Sequence, residues 1–169
     1  WIDIGDLEDC PSNTLPGFNE RLQAMLPGLV EHRCSVGERG GFLQRLAEGT
    51  WPGHIMEHVA LELQNRAGMQ TGFGKAREAG PRGIYKVVIR TREESVGRAA
   101  LQAARDLVMA AIDNQPFDVA GWRQRVAGRA AAEAVLASGP VTSVNGRQGS
   151  VVLGMSDIAG LVSALANVN

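Results

Sequence analysis

The stretch PGHIMEHVALELQNRAG, Pro52 to Gly68, constrains the fold more than any other part of the chain. Proline costs nothing at a first helical position, where the backbone N–H has no intrahelical partner, and Gly68 supplies a left-handed cap. Between them Ile55, Val59 and Leu63, with Met56 beside them, recur at helical spacing and form a stripe that needs a core. The same helix carries His54, Glu57, His58 and Glu62. Residues four apart share a face, so His54, His58 and Glu62 form one column. That column is open to two readings, a solvated surface or a metal site.

For the metal reading, two imidazoles at i and i+4 can converge on one Zn²⁺ at about 2.0–2.1 Å. Glu57 completes the order H-x-x-E-H, which places a general base where inverted zinc peptidases keep theirs. Such a base takes a proton from metal-bound water. A catalytic zinc wants three protein ligands. Glu62 meets the third place by spacing, and Glu78 and Glu38 compete for it. His32 follows a helix end and reads as a capping or packing residue.

Around this helix the chain alternates short elements with glycine-rich connectors. Trp1 to Leu7 alternates as a short strand, and Phe18 to Val30 has helical spacing, with Asn19 as N-cap and Pro27 ending or kinking it. GFLQRLAEG is a short helix closed by Gly49. MQTGFGKAREAGPRG reads as a long loop, and IYKVVIRT as the clearest strand. ESVGRAALQAARDLVMAAID is an alanine-rich helix that buries Val96, Ala100, Ala103, Leu107 and Ala111, and a further helix runs from about Asp118 to Ala137.

The predicted class is α+β, with helices packed on a small mixed or antiparallel sheet, because no βα unit repeats. Composition changes near Gly139. Residues 1–138 read as the main domain and 139–169 as an appendage, in which Asn145-Gly146 turns a β-hairpin and a short helix starts near Ser156.

The formal net charge of -1 and aromatic content of 5% argue against nucleic acid as a partner. No apolar run approaches a bilayer span, and the acidic start lacks a signal-peptide pattern, so the reading is a cytoplasmic protein with no membrane partner. Cys10 and Cys34 then read as two free thiols. Two charged loops, HRCSVGERGGF and TGFGKAREAG, carry Arg33, Glu38, Arg39, Lys75, Arg77 and Glu78. Arginine forks grip carboxylates and glycines let backbone approach a ligand, so these six are the candidate substrate-binding residues.

The segments LPGLVEHRCSVGERGGF, EGTWPGHIMEHVALELQNRAGM, GFGKARE and GIYKVV together resemble the N-terminal domain of cyanophycin synthetases, over residues 1 to about 125. Cyanophycin is a polyaspartate chain with arginine on every side chain. The resemblance implies a domain that holds this polymer and, in some members, a zinc-dependent hydrolase that cuts it. On that reading His54 and His58 are zinc ligands, Glu57 the base and Glu62 a further ligand. The ATP-dependent ligase domains of the family have no counterpart in this sequence, which is therefore not a complete ligase. The hydrolase is the leading expectation; a non-catalytic cyanophycin-binding module is the alternative. The tail PVTSVNGRQGSVVLGMSDIAGL resembles a phage tail-fibre element, which implies a third possibility: an oligomeric structural protein, trimeric through residues 140–169. Association within a larger synthetase assembly would also make the chain an oligomer.

Overall fold

The computed structural model describes the backbone of residues 1–137, 143–144 and 147–148, and the side chains of residues 1–128. Contacts divide the chain into two compact units, Trp1–Ala130 and Ala131–Asn169.

In the first unit, three strands form an antiparallel sheet in the order β1-β3-β2, with β1 at Ile2–Asp3, β2 at Gly74–Glu78 and β3 at Ile84–Ile89. Its helices are α1 (Phe18–Met25), α2 (Gly41–Glu48), α3 (Pro52–Arg66) and α4 (Glu94–Ile112), and α5 (Val119–Ala137) begins here. The α+β class is as predicted, and the sheet is antiparallel. Among the described residues no helix is long and apolar enough to cross a membrane.

Several local expectations change. β1 covers only two residues, because the chain turns into a 3-10 helix at Gly5–Asp9. α1 starts after Gly17, whose φ of 68° suits glycine, and not at an Asn19 cap. Asn19 lies inside the helix and donates to the Leu46 carbonyl at 3.1 Å. Pro27 does end α1, opening a 3-10 segment at Pro27–Glu31. The loop predicted across GFGKARE contains β2, since pairing with β3 from Gly74↔Ile89 to Glu78↔Tyr85 outweighs its poor strand propensity.

The central element is α3. Pro52 sits in its first turn, and Gly68 follows its end with a φ of 86°. Ile55, Met56, Val59, Ala60 and Leu63 are buried with Ala100, Ala103, Ala104, Leu107 and Val108 of α4, against which α3 packs. Small alanines let the two helix backbones approach closely. On the opposite side α3 meets the sheet, where a Cβ at Gly53 would run into the Tyr85 ring. Enclosure on both sides also buries Glu57, His58 and Glu62, each 6% exposed. The expected choice between solvated surface and site is thereby narrowed: buried polar groups need internal partners.

In the second unit, Ser143–Val144 (β4) pairs antiparallel with Arg147–Gln148 (β5). The expected Asn145-Gly146 turn and the helix from Ser156 lie outside the described residues.

Candidate functional site

Three short segments supply the partners that α3 needs. The 3-10 segment Pro27–Glu31 passes so close to α3 that a Cβ at Gly28 would strike the Glu62 carboxylate. It delivers His32, whose Nδ1 lies 2.9 Å from His58 Nδ1 and whose Nε2 lies 3.3 Å from Glu62 Oε2. Arg66 Nε donates to the other Glu62 oxygen at 3.1 Å. One turn further, the 3-10 helix Cys34–Val36 sets Cys34 Sγ 3.4 Å from His54 Nε2, and Thr50 Oγ1 lies 2.7 Å from His54 Nδ1. Phe42 of α2 stacks on His58 with ring centroids 4.0 Å apart and meets His54 edge-on at 5.8 Å.

These bonds orient the imidazoles. A carboxylate only accepts, so His32 donates from Nε2 to Glu62. In its neutral form His32 then accepts at Nδ1 from His58 Nδ1–H, which leaves a lone pair on His58 Nε2. Burial holds His58 neutral, pulling its pKa down to about 3 with help from His54 and His32. His54 is also pulled down, mainly by burial and secondarily by Arg45. Neutral imidazoles with a second nitrogen anchored are the form that binds metals.

Cys34, His54 and His58 each offer a ligand atom within 4.8 Å of the others. Thiolate and imidazole donors suit zinc, and Thr50 and His32 stand behind the two histidines as orienting groups. Glu62, spaced for a third ligand, instead engages His32 and Arg66. Neither Glu38 nor Glu78 joins the cluster. Sequence reasoning missed two participants. His32, read as a cap, is 26 residues from its partner His58, and Cys34, read as a free thiol, is 20 residues from His54. Both cysteines are indeed free of disulfides. The adjacent run E-H-R-C-S was the only local signal for either residue.

Glu57 takes a different place. It shares no hydrogen bond with His54 or His58; it accepts from the Ala76 backbone and lies under Gly74, where a Cβ would approach its Cγ at 2.7 Å. Burial raises its pKa to about 7, outweighing the hydrogen bond from the Ala76 backbone.

A cavity of about 840 Å³ opens over these groups. His54, Glu57, His58, Glu62, Arg33 and Lys75 all line it, together with Glu31, Arg45 and Arg66. Four of the predicted binding residues do not line it. Arg39 forks onto Glu31 at 2.7–3.0 Å, Glu38 precedes α2, and Arg77 and Glu78 occupy the far half of β2.

Residues 1–113 match the family described as the cyanophycin synthase-like N-terminal domain. The chain belongs to this family. A cyanophycin synthetase of Synechocystis sp. is 51% identical over 118 residues, covering 70% of this chain and 14% of the relative. One from Crocosphaera subtropica is 45% identical over 141 residues, 83% of this chain and 16% of the relative. One from Geminocystis herdmanii is 53% identical over 103 residues, 61% of this chain and 12% of the relative. The chain thus spans 12–16% of the length of these curated relatives.

The family overturns the leading expectation. Its relatives are named as synthetases, which make cyanophycin, so the reading as a zinc-dependent hydrolase or peptidase-like enzyme that cleaves it is withdrawn. The H-x-x-E-H spacing identified a buried, internally bonded column but not that reaction. The tail-fibre resemblance, and the trimer drawn from it, also lack support; the family match ends at residue 113.

Proposed function

We propose that this chain is the polymer-holding, non-catalytic module of a cyanophycin synthetase. The relatives' name supplies the polymer, and the mixed lining of the cavity carries the reading. Each unit of an arginylated polyaspartate presents a guanidinium and a free carboxylate. On the cavity wall Glu57 offers an acceptor and Glu31 a second one, shared with Arg39; Arg33 and Lys75 offer donors, and Arg45 a further one, shared with Glu48. Bidentate guanidinium–carboxylate pairing fits both directions of that exchange. Co-sedimentation of the purified chain with insoluble cyanophycin tests it. Retention that falls on Arg33→Gln with Arg45→Gln is expected, and failure of the unsubstituted chain to sediment contradicts the reading.

The Cys34–His54–His58 cluster is, on the same reading, the seat of a zinc ion. When bound, the ion would supply a fixed positive charge facing the cavity, favourable to a polymer carboxylate. Zinc content measured on protein purified without chelator tests this separately from polymer binding. Near one zinc per chain, lost in Cys34→Ser, supports the seat; a metal-free protein removes it.

A further inference from the structure

The two cysteines of the chain provide an internal comparison. Both are half-buried and free of disulfides, but their neighbours differ. Cys10 follows the 3-10 helix Gly5–Asp9 and belongs to no metal-ligating group among the described residues. Cys34 lines the cavity and stands among imidazoles, its Sγ 3.4 Å from His54 Nε2 and 3.8 Å from Ser35 Oγ. Its backbone is held at a φ of 51°, outside the range a cysteine ordinarily occupies. Strain kept at one residue of a cavity wall marks a side chain whose direction matters. Beside it His58, 6% exposed, turns Nδ1 toward His32, while its Nε2 makes no hydrogen bond to any described residue.

The sulfur differs from the imidazoles in what it can undergo. A thiol that coordinates a divalent cation gives up its proton outright, and the thiolate is the form that reacts with a peroxide. Hydrogen peroxide is small and uncharged, and the cavity of about 840 Å³ leads it to Cys34. Arg45 lines the same cavity, and its charge is felt at His54. Its Nε is buried without a partner among the described residues, a donor left over for an oxygen that enters.

We propose that Cys34 is an oxidisable ligand, a modification site through which hydrogen peroxide empties the zinc seat. The inference rests on the zinc seat proposed above. The Cys34 thiolate attacks one peroxide oxygen. The S–O bond forms, the O–O bond breaks, and the other oxygen leaves as hydroxide, which takes a solvent proton to become water. Sulfur loses two electrons, peroxide gains them, and the product is a sulfenic acid. A preorganised donor such as Arg45 Nε–H favours the departing hydroxide. Neutral sulfenic sulfur is a poor ligand, and the imidazoles that remain are fewer than the three protein ligands a zinc site ordinarily has. The fixed positive charge leaves the cavity with the ion, so oxidation also loosens the hold on a carboxylate. Reduction by an external thiol pair restores Cys34, the pair becoming a disulfide with release of water.

The test uses the whole chain, loaded with zinc and freed of excess metal. Hydrogen peroxide is added beside a colorimetric zinc indicator, dimedone traps sulfenic acid, and peptide mass spectrometry locates the adduct. Zinc release accompanied by a dimedone adduct on Cys34 is the expected result, with the same release in Cys10→Ser. Cys34→Asp keeps a ligand of a kind zinc accepts, and aspartate tolerates a left-handed backbone. Its zinc is expected to leave about tenfold more slowly under peroxide, since a carboxylate has no sulfur to oxidise. Zinc that stays bound to the parent under peroxide, or an adduct on Cys10 alone, overturns the inference and leaves the seat intact. Release from Cys34→Asp at the parent rate overturns it as well. A parent chain that takes up no zinc before peroxide is added overturns the seat and the inference together.

Discussion

His32 and His58 meet through their Nδ1 atoms at 2.9 Å, and through His32 the chain of bonds continues to Glu62 and Arg66. His58 and Glu62 are both buried, so removal of His32 strands a His58 donor and a Glu62 acceptor. Loss of a buried partner costs about 1–3 kcal/mol. His32→Ala is therefore expected to lower the urea unfolding free energy by that amount. An unchanged midpoint and slope would show that the relay contributes nothing.

Gly53 tests the packing of α3 against the sheet. Alanine is the better helix former by about 1 kcal/mol, but its Cβ would enter the Tyr85 ring. Overpacking of a tight core costs about 1–3 kcal/mol, so the clash outweighs the propensity gain. Gly53→Ala should destabilise by about 1–2 kcal/mol in urea titrations; a more stable variant contradicts the close approach of Tyr85.

Glu57 gives a pH dependence of definite sign. Its folded pKa of about 7 exceeds the ordinary 4.5, so the folded state holds the proton more tightly than the unfolded chain. That stability is complete at low pH and is lost as pH rises from about 4.5 through 7. Glu57→Gln, neutral throughout, should stabilise the chelator-treated protein at pH 8 by about 1–2 kcal/mol, after allowance for screening by cavity water. At pH 4 it should change little. A gain of the same size at both pH values would mean that ionisation of Glu57 is not the cause.

Cys34 sits at a φ of 51°, a left-handed conformation that costs a non-glycine residue about 1 kcal/mol. Cys34→Gly relieves that strain but loosens the unfolded chain by a similar amount. Metal-free stability should consequently stay within about 1 kcal/mol of the parent, while bound zinc falls to background. Full zinc retention would take Cys34 out of the proposed seat.

What the sequence disclosed follows the range of the interactions involved. Pro52, Gly68 and the Ile55/Val59/Leu63 stripe act within a turn or two, and α3 starts and ends where they place it. His54 and His58 were legible for the same reason, being one turn apart. β2 was missed because GKARE has weak strand propensity and is held by its ladder to β3. Its period-2 placement of Lys75 and Arg77 was the overlooked signal. His32 and Cys34 owe their roles to chain reversals that the sequence does not encode locally. Chemistry was the least legible level, because the same column of His and Glu serves a hydrolytic site and a buried relay equally well.

On the proposed function, the cavity recognises both charges of the polymer unit. Calorimetric titration of the whole chain with soluble cyanophycin, bare polyaspartate and free arginine compares them directly. Tighter binding of cyanophycin than of either other ligand, reduced by Arg33→Gln with Arg45→Gln, is the predicted result. Cyanophycin that binds no better than bare polyaspartate, or not at all, contradicts the account.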